Sequence, residues 1–285
     1  MNELVSIYIT THNRKSKLKR SVNSVLAQDY PNIEIIIVDD GSSDGTEELC
    51  SSLQELHENI IVVRSDVAKG ANHARNQALN VASGKFITGL DDDDEFLPNR
   101  ISRFVENWDE KFSFLCTDVI HCYDERNIQT DGESIAESEY ITLSDMIFDN
   151  AATNQIFTSL DRITSVRFDE SVKKLQDWDC WIKIIDKYGA GKRLGENTYL
   201  MYHDEVIRVT NNQNYNDAYS SLVNRNKKIF RKEITDKEIQ VIVNKKFDLL
   251  LFLSSRKEMR KIILRNTCFY RKYLFLKRLF NVESI

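Results

Sequence analysis

Two rhythms of apolar residues alternate through the first hundred positions. Short runs rich in β-branched side chains at residues 4–10, 33–39, 60–64 and 85–90 predict buried strands. Between them, residues 17–28, 46–56 and 71–82 carry the helical period, and a further helix is predicted to begin near Pro98, where proline suits the first turn. Strands alternating with helices predict an α/β fold with a mostly parallel sheet covered by helices. Ligands on such sheets bind beyond the carboxyl ends of the strands. Residues 112–118 predict another strand, residues 124–138 read as a polar loop, and from 140 to 202 the signals mix around one clear helix starting near Gln176.

The positions just after the strands are polar clusters: Thr11-His12-Asn13-Arg14, then Asp40-Gly41-Ser42-Ser43-Asp44-Gly45, then Asp91-Asp92-Asp93-Asp94. A carboxylate at Asp40 can accept hydrogen bonds from a uracil N–H or a ribose hydroxyl. The same residues also suit a turn and helix cap, with Ser43 or Asp44 capping and Gly41 and Gly45 supplying positive φ. A calcium loop starting at Asp40 is excluded, because its twelfth position is Ser51 in place of a bidentate Glu. Four adjacent carboxylates repel one another unless a cation compensates. Asp91 and Asp93, alternate residues at a strand end, can face one octahedral Mg²⁺ or Mn²⁺ completed by water and diphosphate oxygens. A solvated acidic turn is the competing reading.

Composition narrows the class. With 285 residues, 41% hydrophobic, two prolines and nine glycines, the chain suits one large domain plus an appendage and excludes Pro-rich or low-complexity architecture. Five scattered cysteines without a CxxC pair argue against a zinc ribbon or disulfide framework and for a reducing cytoplasm. No signal-peptide pattern and no apolar run near ~20 residues is present, so neither export nor a transmembrane span is expected. The net charge of −5 hides an asymmetry: residues 225–281 carry +12 and the remainder −17. We therefore expect a catalytic domain over 1–224 and a basic helical C-terminal extension over 225–285. In that extension Phe269, Tyr273, Leu276 and Phe280 share one helical face, with Arg271 and Arg278 on the other. Such a helix can lie on an anionic membrane or pack on the acidic body; nucleic acid suits so acidic a body poorly.

The clusters together resemble the inverting glycosyltransferases of family 2, with the GT-A fold, of the bacterial polysaccharide and O-antigen type. The likeness runs through residues 5–14, ending Thr10-Thr11-His12-Asn13-Arg14, and residues 28–46, containing Val38-Asp39-Asp40-Gly41-Ser42-Ser43-Asp44-Gly45. It continues through Gly70-Ala71-Asn72-His73-Ala74-Arg75-Asn76 and residues 84–94 to Pro98, and returns at Gln176-Asp177-Trp178-Asp179-Cys180-Trp181. The family usually has Glu where Gln176 stands. The resemblance implies that Thr10, Asn13 and Asp40 contact the nucleoside, Arg75 steadies the nucleotide, Asp92 faces ribose or diphosphate, and Asp91 and Asp93 hold Mn²⁺ or Mg²⁺. Asp177 is then the base, and His203 or Arg208 closes over the diphosphate. From the residues alone, Asp177 could equally be a helix-opening acid, Trp178 and Trp181 core residues, and His203 a structural or exposed histidine.

The implied activity is transfer of a sugar, a hexose first of all, from a nucleotide-diphosphate donor such as a UDP-sugar. The acceptor would be a saccharide or lipid-linked saccharide in cell-surface polysaccharide synthesis, at the inner face of the cytoplasmic membrane. Two alternatives compete: a metal-dependent phosphotransferase or phosphatase built on Asp91-x-Asp93, and a non-catalytic nucleotide-sugar-binding module, for which Gln176 leaves room. Phosphate-handling aspartate pairs sit near the chain start, whereas three strands precede Asp91 here. A dinucleotide oxidoreductase is disfavoured because no GxGxxG follows the first strand.

Overall fold

The computed structural model describes residues 3–124, 127–130, 139–147, 149–203 and 215–243. Its first half realises the alternating pattern as β1 (Val5–Thr11), α1 (Lys15–Leu26), β2 (Ile33–Asp39), α2 (Thr46–Leu56), β3 (Ile60–Arg64), α3 (Ala71–Val81) and β4 (Phe86–Asp91). All four strands are parallel: Val5 is in register with Ile33 on β2 and with Phe86 on β4, and Ile35 with Ile60. Because both faces are covered, these strands are apolar almost throughout. Ile7, Ile9, Ile35 and Ile37 pack with α1 and α2, while Tyr8, Ile36 and Val38 pack with α3.

The remaining elements are β5 (Glu95–Phe96), α4 (Arg100–Asn107), β6 (Leu115–Asp124), β7 (Asn127–Thr130), β8 (Tyr140–Ile141), β9 (Phe157–Ser159), α5 (Leu160–Thr164), α6 (Gln176–Tyr188), β10 (Gly191–Tyr202), α7 (Tyr215–Arg225), α8 (Lys227–Phe230) and α9 (Asp236–Val243). One sheet runs in the order β3-β2-β1-β4-β9-β6-β10-β5, with β7 on β6 and β8 on β10. The antiparallel β9 joins the parallel β4 and β6, and β10 runs parallel to β6. The chain winds outward from β1 through β3 and then crosses to β4 on the other side, so the loops after β1, β2 and β4 meet at a topological switch point.

Three elements differ from expectation. The strand expected at 112 begins at Leu115, because residues 109–112 form a turn closed by the Phe112 N–H on the Asp109 carbonyl. Within the expected polar loop, Asn127–Thr130 folds back on β6. The three-residue β9 carries no period of its own; its placement comes from Phe157, fully buried among Phe86, Phe104 and Trp108. Trp178 and Trp181 of α6 are core residues, their indole N–H groups donating to the Met146 and Thr153 carbonyls. Phe230, Ile234 and Ile239 join the same core. The expected membrane-facing helix around Phe269 to Phe280, and Arg208, lie outside the described residues. Among the described residues no helix is long and apolar enough to cross a membrane.

The core also holds a cation. Arg100 is 1% exposed, donates to the Thr117 and Thr198 hydroxyls at 2.7 and 2.9 Å, and lies against the rings of Phe96, Phe104 and Tyr199. Burial lowers its pKa to about 10. A second tight spot is Gly89 on β4, where a Cβ would meet the Gln155 Oε1 at 2.2 Å and the Tyr8 ring at 2.4 Å. Neither neighbour can withdraw easily, since the Tyr8 hydroxyl is bonded to that same Gln155 oxygen. Gly89→Ala is therefore expected to lower the urea midpoint at unchanged m, a loss of about 1–3 kcal/mol for overpacking.

Candidate active site

The buried run of β2 delivers two aspartates to the carboxyl edge, and both are put to structural use. Asp39 pairs with Arg64 at the end of β3 and accepts the Ser42 N–H at 3.0 Å. Asp40 accepts the backbone N–H groups of Lys69 at 2.9 Å and Gly70 at 2.7 Å, which ties the β2 loop to the start of α3. Gly41, at φ +74°, lets the two loops meet: a Cβ there would lie 2.7 Å from the Ala68 nitrogen. Asp44 accepts the Thr46 N–H at 3.1 Å and Gly45 has φ +87°, so the positive-φ turn anticipated for this cluster is present, but the cap position of α2 falls to Gly45, not to Ser43 or Asp44, and carries no side-chain cap. Asn13, itself at φ 54°, donates its N–H to Ser42 Oγ and accepts the Ser43 N–H, both at 2.8 Å. Thr10 is half-buried at the end of β1 beside this junction.

Across the switch point the four carboxylates after β4 are each treated differently. Asp91 accepts the Asn154 carboxamide at 2.8 Å on Oδ2 and the Gln155 carboxamide at 2.9 Å on Oδ1. Asp92 is buried; desolvation raises its pKa to about 6, opposed by the nearby Thr11 hydroxyl and the Arg14 guanidinium. Asp93 is half-buried and paired with Arg14 at 2.5 Å, the same Nη1 lying 3.2 Å from Asp92. Asp94 is buried and accepts the Tyr199 hydroxyl and the Tyr202 N–H, both at 2.8 Å; burial, with Asp91 and Asp93 adding to it, holds its pKa well above the usual carboxylate range. Arg20 donates to the Asp93 carbonyl and stacks 3.7 Å over the Tyr202 ring.

Asp177 occupies the first turn of α6, a helix entered through Leu175 at φ 55°. Its Oδ2 accepts the Asn150 carboxamide at 2.8 Å. Desolvation raises its pKa to about 6; Arg75 opposes that rise and Asp91 adds to it. Arg75 itself donates to Gln176 Oε1 at 3.0 Å and Asn72 Oδ1 at 3.1 Å, so its guanidinium sits beside the start of α6. His203, at the end of β10, lies 2.7 Å from His121 and stacks on Tyr123 with ring centroids 4.2 Å apart. Thr10, Asn13, Asp40, Asp91, Asp92 and Asp93 thus meet at the switch point, with Asp177 and Arg75 linked to them through the 150–155 turn and α3.

Sequence reasoning passed over Arg14, Tyr199 and the carboxamides of Asn150, Asn154 and Gln155. Arg14 stood inside a matched motif and could have been paired with the acids. The others have no periodicity or spacing that marks them; only the placement of β9 and β10 beside β4 brings them in.

Asp91 and Asp93 keep part of their surface open, whereas Asp92 and Asp94 are buried. Among the described residues no cluster of three or more His, Cys, Asp or Glu side chains is arranged to hold a metal alone. Two hard carboxylates at the carboxyl end of β4 fit Mg²⁺ or Mn²⁺, ions that keep several waters and are completed by substrate phosphates.

Residues 6–166 match the family model described as glycosyl transferase family 2. WcaA of Escherichia coli K12, named for a glycosyl transferase role in colanic acid biosynthesis, is 35% identical over 212 residues, covering 72% of this chain and 75% of WcaA. WfaP of Escherichia coli, named as a UDP-Glc:alpha-D-GlcNAc-diphosphoundecaprenol beta-1,3-glucosyltransferase, is 31% identical over 188 residues, 65% of this chain and 71% of WfaP. Among solved structures, the mannosyltransferase PcManGT of Pyrobaculum calidifontis, in complex with GDP-Man and Mn²⁺, superposes with a TM-score of 0.58 at 16% identity, over 99% of this chain and 76% of that one. The fold is GT-A, and the chain belongs to glycosyl transferase family 2.

Proposed function

We propose that this glycosyltransferase moves a hexose from a UDP-sugar, with inversion, onto a lipid-diphosphate-linked saccharide in cell-surface polysaccharide synthesis, using Mn²⁺ or Mg²⁺. The observation that carries this reading is that one turn, 150–155, joins a half-buried carboxylate of raised pKa, Asp177, to an acidic run whose half-buried members Asp91 and Asp93 are hard-cation donors. The donor and acceptor classes are those in the name of WfaP, and GDP-Man with Mn²⁺ accompanies the same fold in PcManGT. Asp40, Asn13 and Thr10 line the nucleoside end, Asp92 faces the ribose or diphosphate, and Arg75 serves the nucleotide from beside α6. His203 and Arg208 are the candidates for closing over the diphosphate.

Asp91 and Asp93 would hold the metal, which when bound supplies Lewis-acid stabilisation of charge on the departing diphosphate. Arg14, paired with Asp93 and close to Asp92, brings a further positive charge to the same end of the cleft. Asp177 removes the proton from the acceptor hydroxyl as its oxygen attacks the anomeric carbon. Asn150 donates to Oδ2 of that carboxylate. A phosphotransferase built on Asp91 is disfavoured by its place in the chain, after three parallel strands rather than near the start. Phe230, Ile234 and Ile239 of the basic extension belong to the core, and it is the remainder, residues 244–285, that is assigned to the membrane that carries the lipid acceptor.

Two tests follow from these roles. Asp177→Asn should lower kcat by roughly 10²–10⁴-fold while leaving UDP binding near wild type, and Asp93→Ala should weaken Mn²⁺-dependent UDP binding; both are read by isothermal titration beside a transfer assay. A base must be ionised to act, so kcat/KM should fall as pH is lowered through about 6, the value to which burial raises Asp177. A profile flat from pH 5 to 8 would remove Asp177 from the role.

A further inference from the structure

We propose that the turn 150–155 is a positioning device that sets the base and the leaving-group end of the site relative to each other, Asn150 orienting Asp177 while Asn154 and Gln155 orient Asp91. The inference rests on the reading of Asp177 as base and of the acidic run as the donor end.

Three carboxamides within six residues donate to the two carboxylates. Asn150 Nδ2 reaches Asp177 Oδ2 at 2.8 Å, Asn154 Nδ2 reaches Asp91 Oδ2 at 2.8 Å, and Gln155 Nε2 reaches Asp91 Oδ1 at 2.9 Å. The carbonyl oxygens of Asn150 and Asn154 are enclosed and have no hydrogen-bond partner. A buried acceptor left unmet is costly, yet turning either carboxamide over would set its oxygen against a carboxylate. The orientation of both side chains is therefore dictated by the carboxylates they serve. Gln155 is fixed at its other end, where Oε1 accepts the Tyr8 hydroxyl at 3.1 Å.

The turn is held against strain. Thr153, a β-branched residue, sits at φ 64°, a conformation that persists only where the surroundings enforce it. Its carbonyl accepts both the Asn150 carboxamide at 2.8 Å and the Trp181 indole at 3.2 Å, so the side chain that holds the base is braced by the helix that carries the base. On the other flank the buried Arg193 of β10 donates to the Ala151 carbonyl and pairs with Asp118 of β6. Asn154 Nδ2 also lies 3.0 Å from the Tyr199 hydroxyl, itself bonded to Asp94. Movement of the turn would thus move Asp177 and Asp91 together.

Asp177 is influenced by Arg75 of α3 and Asp91 of β4, and acts in turn on Tyr8 of β1 and Cys180 of α6. Removing the Asn150 N–H takes away a donor that favours the ionised form. The experiment compares Asn150→Ala, the isosteric Asn150→Asp, Asn154→Ala and Asp177→Asn, reading the pH profile of kcat/KM and, without turnover, the binding of Mn²⁺ and UDP by isothermal titration. Both Asn150 variants should shift the acid limb to higher pH, Asn150→Asp further because it adds a like charge, with UDP affinity unchanged. Asn154→Ala should weaken Mn²⁺-dependent UDP binding roughly tenfold, as loss of an outer-shell partner does, and leave the acid limb in place. If both Asn150 variants keep the wild-type acid limb while Asp177→Asn is inactive, the positioning role is overturned and the base assignment survives. If Asp177→Asn still transfers sugar, the base assignment falls and the proposal with it.

Discussion

Four consecutive carboxylates at the end of one strand can coexist only if each is answered by something different, and the surrounding structure supplies those answers. Carboxamides hold Asp91, Arg14 holds Asp93 and lies close to Asp92, and Tyr199 with the Tyr202 N–H holds Asp94. Those partners come from the end of β1, from the turn before β9 and from β10. The acidic run is therefore the point through which the two halves of the sheet are coupled. Burial raises the pKa of Asp92 and Asp94, which reduces the repulsion the run would otherwise carry. Asp91 and Asp93, by contrast, keep part of their surface open.

The parts of this arrangement written in the sequence are those whose pattern is local. Continuous apolar runs such as Ile35 to Val38 predict strands covered on both faces, and the polar residues that follow them predict the edge where ligands gather. The turn at Gly41 and Gly45 was likewise readable, because positive φ leaves a residue-type signature. Beyond residue 110 the fold depends on contacts between distant segments. β9 is a strand because Phe157 fits between Phe86 and Phe104, and β10 reaches the site through Tyr199, neither of which any periodicity announces. Asn150, Asn154 and Gln155 are ordinary polar residues until the sheet sets them against Asp177 and Asp91. Arg75 stands inside a matched motif, but nothing in the sequence marks Gln176 as its hydrogen-bond partner.

The departure at Gln176 has a structural consequence. A neutral carboxamide accepts from Arg75 there, so the guanidinium's charge is not cancelled by its hydrogen-bond partner and continues to act on Asp177. Burial raises the pKa of Asp177 to about 6 and Arg75 opposes that rise, which suits the base role proposed for it.

The account stands on one claim above the others: a single base, Asp177, acts in a single displacement at the anomeric carbon. The most direct measurement is the anomeric configuration of the transferred sugar, determined by proton NMR of product formed from a donor of known configuration. The account predicts a configuration opposite to that of the donor. Retention would require a second displacement or a different chemistry on the same face, and would contradict it.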